Sequence, residues 1–510
     1  TLLEVSLFFT TLITIGYLYT KHAFSYWARN NVKSFKPSFP FGNFTPVFLS
    51  KKSIGEFIRE TYDSTKEDFI GLYAIFRPIL FVRSSELCRN ILVKDFQYFH
   101  DRGVYSDEKV DPLSGHLFSL SGEKWKQMRA KLTPTFTSGR LKAMFQTLID
   151  CGNSLEKHLK IKADENAEIE MRDLMARYTT NIIASVAFGI DVDSILEPNA
   201  PFRQFGRKVF APTLKNGIRN ALFLILPRLA ELVKLKTVDD DYEEFIFSLV
   251  KQTIHYRESN NIQRKDFMQL LLQLRNTGKV DYGEEWNITS SKDNIKKMSI
   301  NELAAQVHVF FLAGFETSST LMSFCLYEMA RNPHTQEKVQ QEIDQVLKRH
   351  EGKWSYDAMM EMKYLDCCID ETLRMYPPVP LLNRECSADY QIPGTKTVIK
   401  KGTAVFIPCV GLHYDPQYFK DPNTFQPERF SAGNQNINSF NFLPFGEGPR
   451  ICIGLRLGKM QAKIGLAIML YKFNIHLGEK LKHSKIQYAP ESIVPAPIGG
   501  LKLRVSHRKL

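Results

Sequence analysis

Pro444-Phe445-Gly446-Glu447-Gly448-Pro449-Arg450-Ile451-Cys452-Ile453-Gly454 is the stretch on which the reading of this chain turns. Three glycines frame one cysteine in eleven residues, immediately before a helical pattern from Leu455 to Tyr471. Glycine lets a backbone fold tightly and approach a flat ligand closely. Backbone N–H groups near a helix start favour a thiolate. An isolated cysteine is ordinarily an inert, buried residue. The glycine framing instead marks Cys452 as a metal ligand or a nucleophile.

Upstream, Ser299 and Glu302 form a capping-box signature, and an apolar helical pattern then runs to Asn332, stopping before Pro333. Its middle reads Ala313-Gly314-Phe315-Glu316-Thr317-Ser318. A mid-helix glycine costs about 1 kcal/mol relative to alanine. Thr317 is placed to turn its hydroxyl to the carbonyl of Ala313. Two readings stand: a glycine packing notch with a satisfied polar pair, or a helix opened to hold a polar group or water against an active site.

The chain has 510 residues, a formal net charge of +12, 44% hydrophobic and 24% charged residues. That composition excludes a disordered chain, a collagen and a disulfide scaffold. Strand-like runs at Phe69–Phe76 and Ile79–Val82, split by Arg77-Pro78, and again between 380 and 410, interrupt a helical majority, so the fold class is mainly α with small β patches (α+β). A charged loop runs from Gly278 to Met298. Leu2 to Tyr19 carries one charge, Glu4, and as a helix would be about 27 Å long, enough to cross a thin bilayer. Lys21, His22, Arg29, Lys33 and Lys36 follow it and place the body in the cytosol by the positive-inside rule. The expected organisation is a membrane anchor at 1–20, a basic, proline-containing linker at 21–43, and one domain at 44–510. The eight cysteines show no zinc spacing. The sequons at Asn43 and Asn287 are expected to be silent in a cytosolic body.

The string Phe445-x-x-Gly448-x-Arg450-x-Cys452-x-Gly454 resembles the haem-binding loop of the cytochrome P-450 superfamily, the haem-thiolate monooxygenases, at every fixed position. Four further stretches are similar to that family in the same order: Trp125-x-x-x-Arg129, Ala313-Gly314-x-Glu316-Thr317, Glu371-x-x-Arg374, and Pro427-Glu428-Arg429-Phe430. The resemblance covers residues 30–505 and is nearest in texture to microsomal, insect-type members that handle xenobiotics. It implies haem b held by the Cys452 thiolate and cradled by Phe445, Gly446 and Gly454. It gives Trp125, Arg129, Arg384 and Arg450 as propionate partners, with Arg102 a further candidate. Thr317 and Glu316 are implied in oxygen activation and proton delivery, with the backbone opened at Ala313-Gly314. Glu371, Arg374 and Arg429 are implied as a structural ion-pair triad. Phe118, Val309, Leu312, Ala313, Val379, Leu382 and Val494 are implied as the wall of an apolar substrate pocket.

The implied reaction inserts one atom of O2 into a small lipophilic substrate, plant toxins and insecticides among them. The electrons come from NADPH only through a flavoprotein reductase, with a cytochrome b-type donor as a second source. The implied location is the cytosolic face of the endoplasmic reticulum membrane. A biosynthetic monooxygenase of an endogenous lipid or hormone is the alternative. A haem-binding sensor or carrier, or an isomerase that needs no reductase, is disfavoured by the intact Thr317. The basic excess has no nucleic-acid recognition motif to serve. It is expected to serve the haem propionates, membrane lipid (Lys21, Arg29, Lys33 and Lys36), and an acidic reductase docking on Lys124, Lys126, Lys131, Arg456, Lys459 and Lys463.

Overall fold

The structure, a computed structural model, describes residues 2–280, 297–432 and 437–509. The Asn287 sequon and most of the charged loop from Gly278 to Met298 lie outside those residues. Seven helices position the site: α1 (Leu2–Phe24), α2 (Gly122–Leu132), α3 (Met171–Ile183), α4 (Asp240–Ser259), α5 (Ile300–Arg331), α6 (Lys363–Met375) and α7 (Leu455–Lys472). The strands are β1 (Phe69–Ala74), β2 (Arg77–Val82), β3 (Glu168–Glu170), β4 (Leu382–Glu385), β5 (Tyr390–Gln391), β6 (Val398–Ile399), β7 (Ala404–Ile407), β8 (Phe473–Leu477) and β9 (Lys502–His507). They make three small sheets with orders β1-β2-β7-β4, β3-β9-β8 and β5-β6. The architecture is therefore mainly helical with small β patches.

Helix α5 organises the body. Its cap closes reciprocally: Glu302 N–H donates to Ser299 Oγ at 3.1 Å, and Ser299 N–H donates to Glu302 Oε2 at 2.7 Å. It runs 32 residues and ends at Asn332, before a proline that cannot continue it. It packs on α3, α6 and α7 within the larger apolar core. The helix is unbroken through Ala313-Gly314, so the expected opening is not formed. Gly314 is instead a packing notch, because Ile183 of α3 occupies the place its Cβ would take.

Two boundaries differ from the sequence expectation. The β1–β2 turn falls at Ile75-Phe76, with Ile75 at φ 55°, and not at Arg77-Pro78. Pro78 sits in β2 opposite Tyr73, outside the parallel pairing with β7 that begins at Ile79, so its missing N–H breaks no bond there. The segment 21–43, expected as a linker, packs on the body. Helix α1 continues to Phe24, and Trp27, 1% exposed, lies on β1. Trp27 Nε1 donates to Leu72 O at 2.9 Å, its ring fills the space a Cβ on Gly71 would need, and Gly71 N donates to Lys33 O. Phe24 and Tyr19 touch Phe76 at 5.5 and 5.2 Å between ring centroids. The rest of α1 is exposed, as an apolar helix meant for another solvent would be. Asn43 is also used internally, donating to Lys36 O and accepting from Tyr73 N, which occupies the amide that glycosylation would modify.

Candidate active site

The glycine-framed loop enters α7 as a tight hairpin. Gly446 and Gly448 have φ of 73° and 75°, and Leu92 O leaves Gly448 no room for a side chain. Gly454 caps α7 with an ordinary φ of −88°, and nothing lies within 4 Å of where its Cβ would stand. Cys452 N donates to Phe445 O at 2.9 Å, closing the loop on itself. Cys452 is the one cysteine of the eight that is exposed by surface area. Burial nevertheless pushes its thiol up, opposed by the Gly454 N–H and the charges of Arg102 and Arg129. Both facts hold for a sulfur that lines an internal cleft.

Four arginines converge on this loop. Arg129 of α2 donates to Ile451 O at 2.8 Å, and Arg102 donates to Arg450 O at 3.3 Å and to Phe118 O at 3.2 Å. Arg450 is held by His100 O and Leu120 O, each at 2.8 Å, and lies 4.0 Å over the Trp125 ring. Arg384 on β4 donates to Asn383 O at 2.8 Å. Trp125 therefore meets Arg450, where the sequence paired it with Arg129. Burial lowers all four guanidinium pKa values, to about 10 for Arg384 and about 9 for Arg450, and Arg102 is lowered further by its arginine neighbours. Arg450 Nη1 and Arg384 Nε are buried with no hydrogen-bond partner. Cationic donors left open beside an open cysteine fit the two carboxylates and the iron of haem.

Helix α5 contributes an open stripe to its otherwise buried middle. Ala313 is exposed, while Val309, Leu312 and Thr317 are half-buried, at the i, i+4 spacing of one face. Three successive carbonyls there each take a side-chain donor: Thr317 Oγ1 to Ala313 O at 2.5 Å, Gln461 Nε2 to Gly314 O at 3.1 Å, and Thr179 Oγ1 to Phe315 O at 3.0 Å. Glu316 points away from this stripe and forms an ion pair with Arg172 of α3. Leu382 lies 3.7 Å from the Cβ position of Gly446, and Phe118 lies under Arg102 at 4.3 Å. Val379 is 38% exposed, and Val494 is buried.

The triad is assembled. Arg374 donates to both oxygens of Glu371, at 2.7 and 2.8 Å, and to the carbonyls of His413, Pro422 and Thr424. Arg429 Nε lies 3.4 Å from Glu371 Oε1. The expected docking face is smaller than the sequence implied. Lys463 is 3% exposed and paired with Asp366 at 2.9 Å, and Lys459 is half-buried against Asp370. Sequence reading missed Gln461, Arg172, and the carbonyls of His100 and Leu120, because none carries a local motif.

The comparisons with known proteins agree with this geometry. Residues 34–502 match the family model described as Cytochrome P450. The chain is 42% identical over 500 residues to Probable cytochrome P450 6d5 of Drosophila melanogaster, covering 98% of each chain. It is 38% identical over 511 residues to cytochrome P450 6d3 of Musca domestica, covering 98% of each. It is also 41% identical over 472 residues to cytochrome P450 6k1 of Blattella germanica, covering 91% of this chain and 90% of that one. A full-length match, an open thiol in a glycine-framed loop and a nest of arginines with donors left unpaired lead to one conclusion: the chain belongs to the cytochrome P450 family and is a haem-thiolate monooxygenase.

Proposed function

We propose that the protein oxidises lipophilic xenobiotics, plant toxins and insecticides among them. In this reading it works on the cytosolic face of the endoplasmic reticulum with α1 as anchor, and draws NADPH electrons through a flavoprotein reductase with a cytochrome b-type donor as a second source. The observation that carries the chemistry is the open Cys452 beside arginines with unfilled donors, at the start of α7, whose Gln461 bonds α5 at Gly314 O. Haem b, when bound there, supplies the redox chemistry that reduces O2 and places one oxygen atom in the substrate, the other leaving as water. Cys452 is assigned as the iron ligand, with Phe445, Gly446 and Gly454 shaping the loop around it. Arg102, Arg129, Arg384 and Arg450 hold the propionates, and Trp125 supports Arg450 from beneath.

Thr317 is the hydroxyl nearest the open stripe and holds or passes a proton at Oγ1, which rests on Ala313 O between events. Glu316 delivers a proton only when its pair with Arg172 parts, so Arg172 sets when the carboxyl is free. Phe118, Val309, Leu312, Ala313, Val379, Leu382 and Val494 form an apolar wall that excludes water and selects by shape. The cationic residues assigned to the reductase are Lys124, which pairs with Glu108, together with Lys126, Lys131 and Arg456.

The test is spectroscopic. The reduced protein under carbon monoxide shows the strongly red-shifted Soret band of thiolate ligation, and Cys452→Ser abolishes it; a retained band would sink the ligand assignment. Turnover of a lipophilic insecticide with reductase and NADPH tests the substrate class.

A further inference from the structure

Above the open stripe, the loop 115–119 crosses α5 and brings two buried histidines together. His116 and His308 lie with ring centroids 5.8 Å apart, His116 6% and His308 1% exposed. His308 sits on α5 beside Val309, five residues and about 7–8 Å along the axis from Ala313. His116 lies two residues from Phe118, at 6.4 Å between rings. The loop is pinned to the helix by Gln306, which accepts from Leu117 N and donates to Gly115 O.

The hydrogen bonds fix which ring nitrogens carry protons. Ser119 N–H reaches His116 Nδ1 at 3.4 Å, and a backbone N–H only donates, so Nδ1 accepts and the proton is on Nε2. The Ser119 hydroxyl gives its single hydrogen to Ser114 O, which leaves that assignment in place. Tyr242 of α4 lies 2.9 Å from His308 Nδ1, and the phenol has no other acceptor among the described residues. Tyr242 therefore donates, and His308 is also protonated at Nε2. Burial holds both rings neutral, His116 at about 3, with Arg102 adding to the effect at His116. Each ring thus presents an Nε2–H with no partner among the described residues, within a largely apolar surround. Neither Nε2 is among the fully enclosed atoms without a partner, so each opens on free space. A ligand that covered it without accepting would leave a donor unmade, at more cost than a typical bond returns.

We infer that His116 and His308 form a paired donor site that selects substrates carrying a hydrogen-bond acceptor, such as a carbonyl or ether oxygen, next to an apolar body. One oxygen seated between the rings accepts from both. Such a site discriminates against the hydrocarbon analogue because the analogue leaves the donors unpaired. This rests on the proposed lipophilic pocket and gives it a polar locus.

The test uses the full-length, haem-loaded protein in phospholipid vesicles with two probes of similar shape, benzophenone and diphenylmethane. Their dissociation constants are read from the Soret shift. The ratio is expected to move about tenfold toward the hydrocarbon in His116→Phe and in His308→Phe. His116→Gln, which keeps a donor, retains most of the wild-type ratio. Tyr242→Phe removes the hydroxyl that fixes the His308 tautomer, and shifts the ratio in the same direction by less. A double His116→Phe/His308→Phe variant whose ratio stays within about twofold of wild type overturns the inference. If neither phenylalanine variant folds, an unchanged ratio in Tyr242→Phe does so. The carbon monoxide band separates the two levels: without it the monooxygenase pocket itself is in error, whereas a normal band with an unchanged ratio removes only the histidine pair.

Discussion

Two groups of buried arginines lie in this molecule, and they are built in opposite ways. Around Arg374 every N–H has an acceptor: two carboxylate oxygens of Glu371 and three backbone carbonyls. Around Arg450 three further guanidinium groups crowd in, Asp101 stands off at 3.5 Å, and Nη1 is orphaned, as is Nε of Arg384. The first network is closed at Arg374, which is fully satisfied, and Arg429 Nε, though without a hydrogen bond, lies 3.4 Å from the Glu371 carboxylate, so its charges are spent on joining α6 to the segment 413–429. The second is open: it sets Asp101 against four guanidinium groups, and an added anion would relieve the repulsion that remains. Burial of charge alone does not mark a binding site; burial of charge without its complement does.

Breaking the closed network has the largest expected effect. Glu371→Ala leaves Arg374 and Arg429 as buried cations without a carboxylate, turning it into a copy of the open one, and is expected to cost about 3–5 kcal/mol in urea unfolding. Next comes Arg450→Leu, which removes one of several repelling cations. Haem transfer to an acceptor globin is expected to speed up about 10- to 100-fold, with unfolding stability changed by less than about 1 kcal/mol. A stability loss as large as that of Glu371→Ala would mean that the two networks do the same work.

The closed network also predicts a pH effect. His413 accepts Leu443 N at Nε2 and donates from Nδ1 to Arg374 O, and burial holds its pKa at about 3. The unfolded histidine takes a proton near 6.5, so the unfolded state binds more protons between 6.5 and 3, and stability falls as pH drops through that window. His413→Gln is expected to remove up to about 1.4 kcal/mol per pH unit of that slope, read from urea midpoints at each pH. The smallest effect belongs to Trp125→Phe, which weakens the cation–π support of Arg450 by about 0.5–1 kcal/mol and raises the haem-loss rate a few-fold. An unchanged rate would show that the His100 and Leu120 carbonyls alone position that guanidinium.

Local signals make the loop and the long helix legible in the sequence. The capping box of α5, its end at Pro333 and the Thr317–Ala313 bond all follow from residues within a few positions of one another. What stays hidden is decided by distant partners. Trp125 and Arg129 share a helix face, yet Trp125 stacks on Arg450, more than 300 residues away. Lys463 reads as a surface charge until Asp366 of α6 is found beside it. Glu316 reads as a free acid until α3 supplies Arg172. The boundary at 43 fails for the same reason: Trp27 looks like part of a linker, and only the missing side chain at Gly71 reveals where its ring goes.

That seat has a mechanical consequence. Tyr73 Oη donates to Phe24 O at 2.8 Å, its ring lies 5.3 Å from that of Phe24, and Trp27 is clamped three residues later. No swivel separates the apolar helix from the body. With α1 as the proposed anchor, whatever tilts it would rotate the catalytic body through the same angle, so the thickness of the surrounding lipid would act as a lever on which face of the enzyme is presented to the water.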